Sequence, residues 1–453
     1  MIKRLFFIVV LLLPCLAYGA DLSADLSVNV TPTPPAAAAA AGFTTLALDS
    51  EFSQPQPSGW FACSGGVAGA QWYQGVTGGD TVAAPCSVTG GQPGGNFNLI
   101  TDPLSGKQVL DLTMHLSDVI LGSRAYASIQ TADDAEMHQH GTPCCVLGEL
   151  FPYGFYMEAR YRVLTTPDAD HGATAGVWTA FWQAGQGLSP YTGHETVEID
   201  HPEQHGELRY NYSPGQKVGP LLDWGVINWY DSSGAPCFGS PPPGYGGTQC
   251  AGFLQNEDPR QYHTFGVRVT TDGSSGIAYC SYADGVQGYC ASGAFNNSAQ
   301  YAEKKYPIIF AGIACYPQSE GVISCLNIPI TSWYSCVSPA PAGAICLSAS
   351  GAVIDNSSGN WISSISGVTG CPSCNGSWVL LPFTNSTSGT DYYIYSNAND
   401  PTYTRPSWPG GTPTGGTINA LSQVDMYIDH VSVWTCSTWQ SGPCNTPLDT
   451  GLP

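Results

Sequence analysis

"GFYMEARYRVL", residues 154–164, opens on a glycine, alternates apolar with polar side chains and is rich in aromatics, the pattern of a β-strand with one face in a core. The same texture recurs on either side of it, in "QVLDLTMHL" (108–116), "YHTFGVRVTT" (262–271) and "DMYIDHVSVW" (425–434), with Gly, Pro, Asn and Asp between the stretches. Helical periodicity is nearly absent, and 54 glycines with 35 prolines punctuate the chain. Many short strands joined by turns predict an all-β fold, a β-sandwich or jelly roll.

The N-terminal "MIKRLFFIVVLLLPCLAYGA" places Lys3 and Arg4 before an apolar run and small residues at Ala17 and Gly19, the layout of a signal peptide over residues 1–19. A lipid anchor through Cys15 competes with that reading, and Pro14 fits it poorly. No later apolar run is long enough to span a bilayer, so the mature protein is expected to be secreted, extracellular or periplasmic. Loss of Lys3 and Arg4 takes the formal charge from -21 to -23. Such a charge repels nucleic acid, anionic membrane and sulfated polymers, and leaves a neutral polymer or small neutral ligand as the partner. Seventeen cysteines less Cys15 leave an even number in an oxidising compartment, hence a disulfide framework whose pairing the sequence does not specify. Cys371-Pro-Ser-Cys374 lacks the second CxxC or histidine pair of a zinc knuckle and reads as a structural disulfide; adjacent Cys144 and Cys145 are expected to bond to different partners.

Residues 20–42 include "SVNVTPTPPAAAAAAGF", with too little apolar bulk to pack, and read as a linker. The strand texture runs over 43–436, with 437–453 as a tail. Within it, 318–420 is rich in Ser, Gly, Asn and Cys and reads as a disulfide-stapled insertion, while a shorter Gly- and Pro-rich excursion lies between Cys237 and Cys250. No internal repeat is visible.

Charge is scarce in this chain, yet "VEIDHPEQHGE" (197–207) holds four acids in eleven positions. As a strand, "VEID" turns Val197 and Ile199 to one side and Glu198 and Asp200 to the other. Glu203 follows Asp200 by three and joins the second set only if the strand gains one residue. A β-bulge does that, and His201-Pro202 is the place for it, because proline cannot donate to a ladder. Three carboxylates held together are costly, since like charges and desolvation disfavour ionisation of at least one. Glycoside cleavage with retention uses such a set: one ionised carboxylate as nucleophile and one protonated carboxyl as acid.

"EIDHPE" resembles the E-[ILV]-D-x-x-E signature of glycoside hydrolase family 16, the laminarinase, agarase and carrageenase group of retaining endo-glycanases. In the same order as in that family, "LALDSEF" (46–52) is similar to its opening strand, "YGFYMEARYRV" (153–163) to its F-x-Y-G-x-x-E-x-R segment and "GVWTAFWQAG" (176–185) to its G-x-W-P-A-F-W segment. "YHTFGVRVTTDG" (262–273) is similar to its F-H-T-Y block and "VDMYIDHVSVW" (424–434) to its closing strand. The resemblance implies a concanavalin A-like jelly roll of two antiparallel sheets with a concave substrate cleft. It implies Glu198 as nucleophile, Asp200 as assisting carboxyl and Glu203 as general acid and base. Three departures stand out: Thr179 replaces a proline, Val269 stands where a tryptophan is common, and "ELRYNYS" (207–213) lacks a histidine often found there. The last two bear on the substrate more than on the reaction.

Trp178 and Trp182, four apart in a strand-like segment, share a face and suggest a platform for sugar rings, with core packing as the alternative. Trp224 and Trp229 are placed at the cleft rim, Tyr191 less firmly. Family members often carry a structural calcium, which Glu51 and Asp429 would match here, although two carboxylates alone do not make a site. His201 and His205 suit a metal only on a helix, and this is a strand. His138, His140, Glu195 and Glu207 read as solvated. Asn-x-Ser/Thr sequons stand at Asn211, Asn296, Asn356, Asn375 and Asn385. The function expected is a secreted, monomeric, retaining endo-glycosidase acting on a neutral β-linked polysaccharide without a catalytic cofactor. A transglycosylase would use the same residues, and the alternative from another class is a non-catalytic, lectin-like binder.

Overall fold

The strand pattern folds into two antiparallel sheets laid face to face. The structure, a computed structural model, describes residues 32–63, 69–75, 81–119, 124–133, 147–166, 176–185, 197–208, 220–228, 259–274, 276–294, 301–314, 327–336, 345–349, 360–385, 389–397 and 411–448, among them 81–83, 124, 133, 147, 197, 204–208, 220–228, 289, 291, 294, 314, 360–363, 379, 381–385 and 389–397 by backbone alone. The signal peptide, His138, His140, Cys144, Cys145, Tyr191, Glu195, Trp229, Cys237, Cys250, Asn211, Asn296 and Asn356 lie outside the described residues.

One sheet has eight strands, in the order Val286–Ala294, Gly276–Ala283, His263–Thr271, Phe155–Thr166 and Gln423–Thr435. The long Gln423–Thr435 then pairs along one half with Gln108–His115, which leads to Phe97–Thr101, and along the other half with Thr45–Glu51. The second sheet runs through Arg124–Gln130, Lys304–Ala314, Val177–Gly185 and Val197–Leu208 at its centre. Alternation puts Phe155, Met157, Ala159 and Val163 of the first sheet against Ile129, Ile309, Ala311, Phe181 and Ile199 of the second, in one core. Each of the larger ones, the Phe, Met, Val and Ile side chains, contributes about 1.5–3 kcal/mol when fully buried.

Val269 belongs to this core, fully buried between the sheets. Its departure from the family pattern therefore concerns packing and touches no substrate, against the sequence reading. Thr179 likewise points inward and is fully buried.

Two boundaries differ from expectation. Ala36–Ala40 form a short helix, and Ala38 and Phe43 pack fully buried beside Trp434, so the linker gives way to packed chain before residue 42. Beyond residue 436 the chain stays on the sandwich: Cys436 and Cys444 form a disulfide, and the Cys444 N–H donates to the Tyr153 carbonyl at 3.0 Å.

The insertion is a barrel. Ile328–Ser335, Ile345–Ala349, Gly389–Asn397, Gly376–Asn385 and Asn360–Ser366 pair in succession, and Thr417–Ile418 closes the ring, with Ile418 opposite both Ile328 and Ile365. Ile330, Leu347, Ile365, Leu380 and Trp378 fill a separate core. The disulfides Cys336–Cys346 and Cys371–Cys374 lie on it, the second as the sequence predicts. Asn375 accepts the Val368 N–H at 2.8 Å and donates to the Val368 carbonyl at 3.2 Å, so its amide is already engaged. The barrel joins the second sheet where Glu207 and Leu208 pair with Trp361 and Asn360. Among the described residues five disulfides form, the others being Cys63–Cys86 and Cys280–Cys290, and no helix is long and apolar enough to cross a membrane.

Candidate active site

The register of Val197–Leu208 carries the predicted bulge. Against Val177–Gly185, Asp200 pairs with Trp182 and Glu203 with Ala180; against Pro220–Asn228, Asp200 pairs with Gly225 and Glu203 with Asp223. On both sides three steps along the carboxylate strand meet two steps of its neighbour, so one extra residue enters between Asp200 and Glu203. The His201-Pro202 peptide, which is cis, lies there. Ile199 points into the inter-sheet core, so Glu198 and Asp200 point to the outer face. Glu203 rejoins that face opposite Ala180, which packs there with Tyr126, Trp178 and Phe310.

His201 turns the other way. Its ring is buried, 6.5 Å from Phe181, and Nε2 lies 3.3 Å from the Tyr282 carbonyl of the facing sheet. Burial pushes its pKa down to about 3, against hydrogen bonds to the Tyr282 and Gly266 backbone that raise it. The imidazole is therefore neutral and ties the bulge to the opposite sheet. A shared metal with His205 has no support from this placement.

Trp178 is 8% exposed. Its ring meets Phe310 at 4.8 Å and 72° and Tyr126 at 5.9 Å and 80°, edge-to-face contacts that add about 0.5–1.5 kcal/mol each beyond burial. Its indole N–H donates to Glu203 Oε1 at 2.5 Å. Trp182 is partly buried on the same face, and among the described residues its indole N–H meets no acceptor. Trp224 lies between the partners of Asp200 and Glu203 on Pro220–Asn228, where the backbone alone is described.

Sequence reasoning missed Lys305. Its ammonium is fully buried, 3.2 Å from Glu303 Oε2, which also accepts from the Tyr153 hydroxyl at 3.4 Å. Burial lowers the Lys305 pKa, while the charge and hydrogen bond of Glu303 and the charge of Glu198 raise it. Lys305 pairs with Gly185 at the end of the tryptophan strand, so a cation sits beneath the sheet within electrostatic reach of Glu198. The only signal was "EKKYPIIFAGIA" (303–314), charges running straight into a buried strand.

Glu51 and Asp429, which the resemblance matches to calcium, stand among cationic neighbours, while Asp429 Oδ1 is buried without a partner among the described residues. Asp429 is the extra residue of a bulge between the partners of Arg160 and Tyr161, and its Oδ2 lies against Arg160 Nη1. Glu51 pairs with His430, whose Nε2 is 3.5 Å from Glu158 Oε1. A guanidinium and an imidazole thus already stand among these acids. Among the described residues no three His, Cys, Asp or Glu side chains converge as a metal site.

No family model matches the chain, and no curated protein matches it. Among solved structures its likeness is to laminarinases. LamAcat from Zobellia galactanivorans is 12% identical, covers 86% of this chain and 98% of its own, and has a TM-score of 0.37. The laminarinase from Flavobacterium sp. UMI-01 is 14% identical over 62% of this chain and 94% of its own, with a TM-score of 0.35. The Bacteroides ovatus mixed linkage glucan PUL GH16 in complex with a G4G4G3G product is 11% identical over 75% of this chain and 85% of its own, with a TM-score of 0.33. At these identities and scores no activity passes from those proteins to this chain.

Proposed function

We propose that the protein is an exported retaining endo-glycanase that cleaves a neutral β-linked polysaccharide, a β-1,3 or mixed-linkage β-glucan first and a neutral galactan next. One observation carries this reading: the bulge between Asp200 and Glu203, which returns Glu203 to the face that Glu198 and Asp200 share. A solvated acidic face has no use for such a register shift, whereas double displacement requires nucleophile and acid on one groove.

A Glu198 carboxylate oxygen attacks the anomeric carbon while the glycosidic C–O bond breaks, and the proton of Glu203 passes to the departing oxygen. The glycosyl ester on Glu198 is then attacked by water, whose proton returns to the Glu203 carboxylate as Glu198 leaves. Interception by a sugar hydroxyl instead of water gives transglycosylation. Asp200 stands between the two and assists the nucleophile; the reaction needs no cofactor. Lys305 favours the ionised form of Glu198 by charge. Trp182, the less buried of the two strand tryptophans, offers sugar a ring, and Trp224 and Trp229 are assigned to the rim. The acidic chain suits a neutral polymer. The leader sequence and the disulfides support export, and the protein acts as a monomer.

Incubation of the purified mature protein and of Glu198→Gln with a panel of glucans and galactans tests this reading. New reducing ends from the wild type alone support it. Equal binding by both with no cleavage overturns it in favour of a lectin.

A further inference from the structure

Trp178 is held on two sides by aromatic rings and keeps 8% of its surface, so its ring offers little to a sugar. Its one polar group, the indole N–H, is a donor only and points at Glu203 Oε1 from 2.5 Å. A carboxyl group has two oxygens, and the one that accepts a hydrogen bond from a fixed donor is the one that keeps carbonyl character when the group is protonated. The tryptophan therefore distinguishes the two oxygens of Glu203.

Resting on the assignment of Glu203 as general acid and base, we propose that Trp178 is a positioning residue: its indole N–H pins Oε1 and so makes Oε2 the oxygen that delivers the proton to the leaving group and takes it back from water. The same hydrogen bond strengthens once Glu203 is ionised, because a donor to a carboxylate is charge-assisted. It thus favours departure of the proton and holds the carboxylate in place for the second step. Glu198 and Asp200 share the strand and face of Glu203, and Asp223 is its register partner on Pro220–Asn228. Val177–Gly185, on the other side, contributes no titratable side chain.

Trp178→Phe keeps the aromatic packing and removes the donor. Hydrolysis of the polysaccharide should fall roughly 10- to 100-fold, within the range that one acid–base group contributes. The kcat/KM for a dinitrophenyl oligosaccharide glycoside, which reports only the first step and whose leaving group needs no proton, should stay within about threefold of wild type. The basic limb of kcat/KM should move to higher pH, because loss of a donor to the carboxylate lets Glu203 keep its proton longer. Equal losses on both substrates, or an unmoved basic limb, in a variant that melts like wild type overturn the proposal. If Trp178→Phe melts early, Phe310→Leu loosens the clamp and keeps the donor; an unmoved basic limb there overturns it as well. Wild type and Glu203→Gln run alongside. A wild type that cleaves nothing removes the enzymatic reading and this proposal together, whereas an active wild type, an inactive Glu203→Gln and a wild-type-like Trp178→Phe remove this proposal alone.

Discussion

Glu203 lies opposite Ala180, two steps along the tryptophan strand from the residue opposite Asp200, although it follows Asp200 by three in its own strand. Removing the extra residue therefore separates the shared face from the bulge that produces it. Deletion of Pro202 leaves Glu203 two positions after Asp200, so an unbroken strand keeps both carboxylates on the outer face without the bulge. The deletion should therefore keep more glucan turnover than Glu203→Gln, which loses about 10²- to 10⁴-fold, and no carboxylate is forced inward to lower its melting temperature. Reducing-end assays and thermal melts on the two variants check this. A deletion variant as inactive as Glu203→Gln would show that the bulge itself, beyond the shared face, sets the position of Glu203.

Asp111 predicts a loss of stability toward neutral pH. Burial first, then the charge of Asp425, push its pKa up to about 7, against a lowering hydrogen bond from Thr113. A raised carboxyl favours the fold while neutral. Its contribution is complete below the ordinary carboxyl range near pH 4 and is lost as pH rises through about 7. Asp111→Asn should raise stability above pH 7 by on the order of a few kcal/mol and flatten the slope between pH 4 and 7, read by denaturant titration.

His201 predicts the opposite slope on the acid side. Its pKa is pushed down to about 3, so the unfolded chain takes up a proton that the folded chain refuses. The contribution is complete above about pH 6.5 and is lost as pH falls toward 3. His201→Gln keeps a donor for the Tyr282 carbonyl and removes the titration. Its denaturation midpoint should change less between pH 7 and pH 4 than that of the wild type.

Arg160 against Asp429 predicts indifference to chelators. EDTA should leave the melting temperature unchanged, while Arg160→Leu should lower it, because the buried Asp429 carboxylate loses its cation. A drop in melting temperature with EDTA that calcium reverses would contradict the fit described here.

The sandwich was legible because alternation with a period of two marks each strand's buried face, as in Phe155, Met157 and Ala159. The bulge was legible because Glu198, Asp200 and Glu203 share a face only if one residue is added, and Pro202 cannot serve in an unbroken ladder. Contacts between distant strands were not. Nothing near Trp178 in the sequence announces Tyr126 and Phe310, which enclose its ring, and nothing near Asp429 announces Arg160, which lies 269 residues away. Val269 read as a cleft position only through the family pattern, and its side chain packs into the core. The barrel escaped notice because Ser, Gly and Asn dilute its strands, whose core rests on sparse residues such as Ile365 and Leu380.

Glu207 and Leu208, pairing with Trp361 and Asn360, make the strand that bears the carboxylates also a rung of the barrel's outer wall. The appended barrel thus has no hinge at this junction: tilting it would pull on the backbone a few residues past Glu203. Excising it would uncover Glu207 and Leu208 and leave raw N–H and C=O groups a few residues past Glu203, an invitation to aggregate.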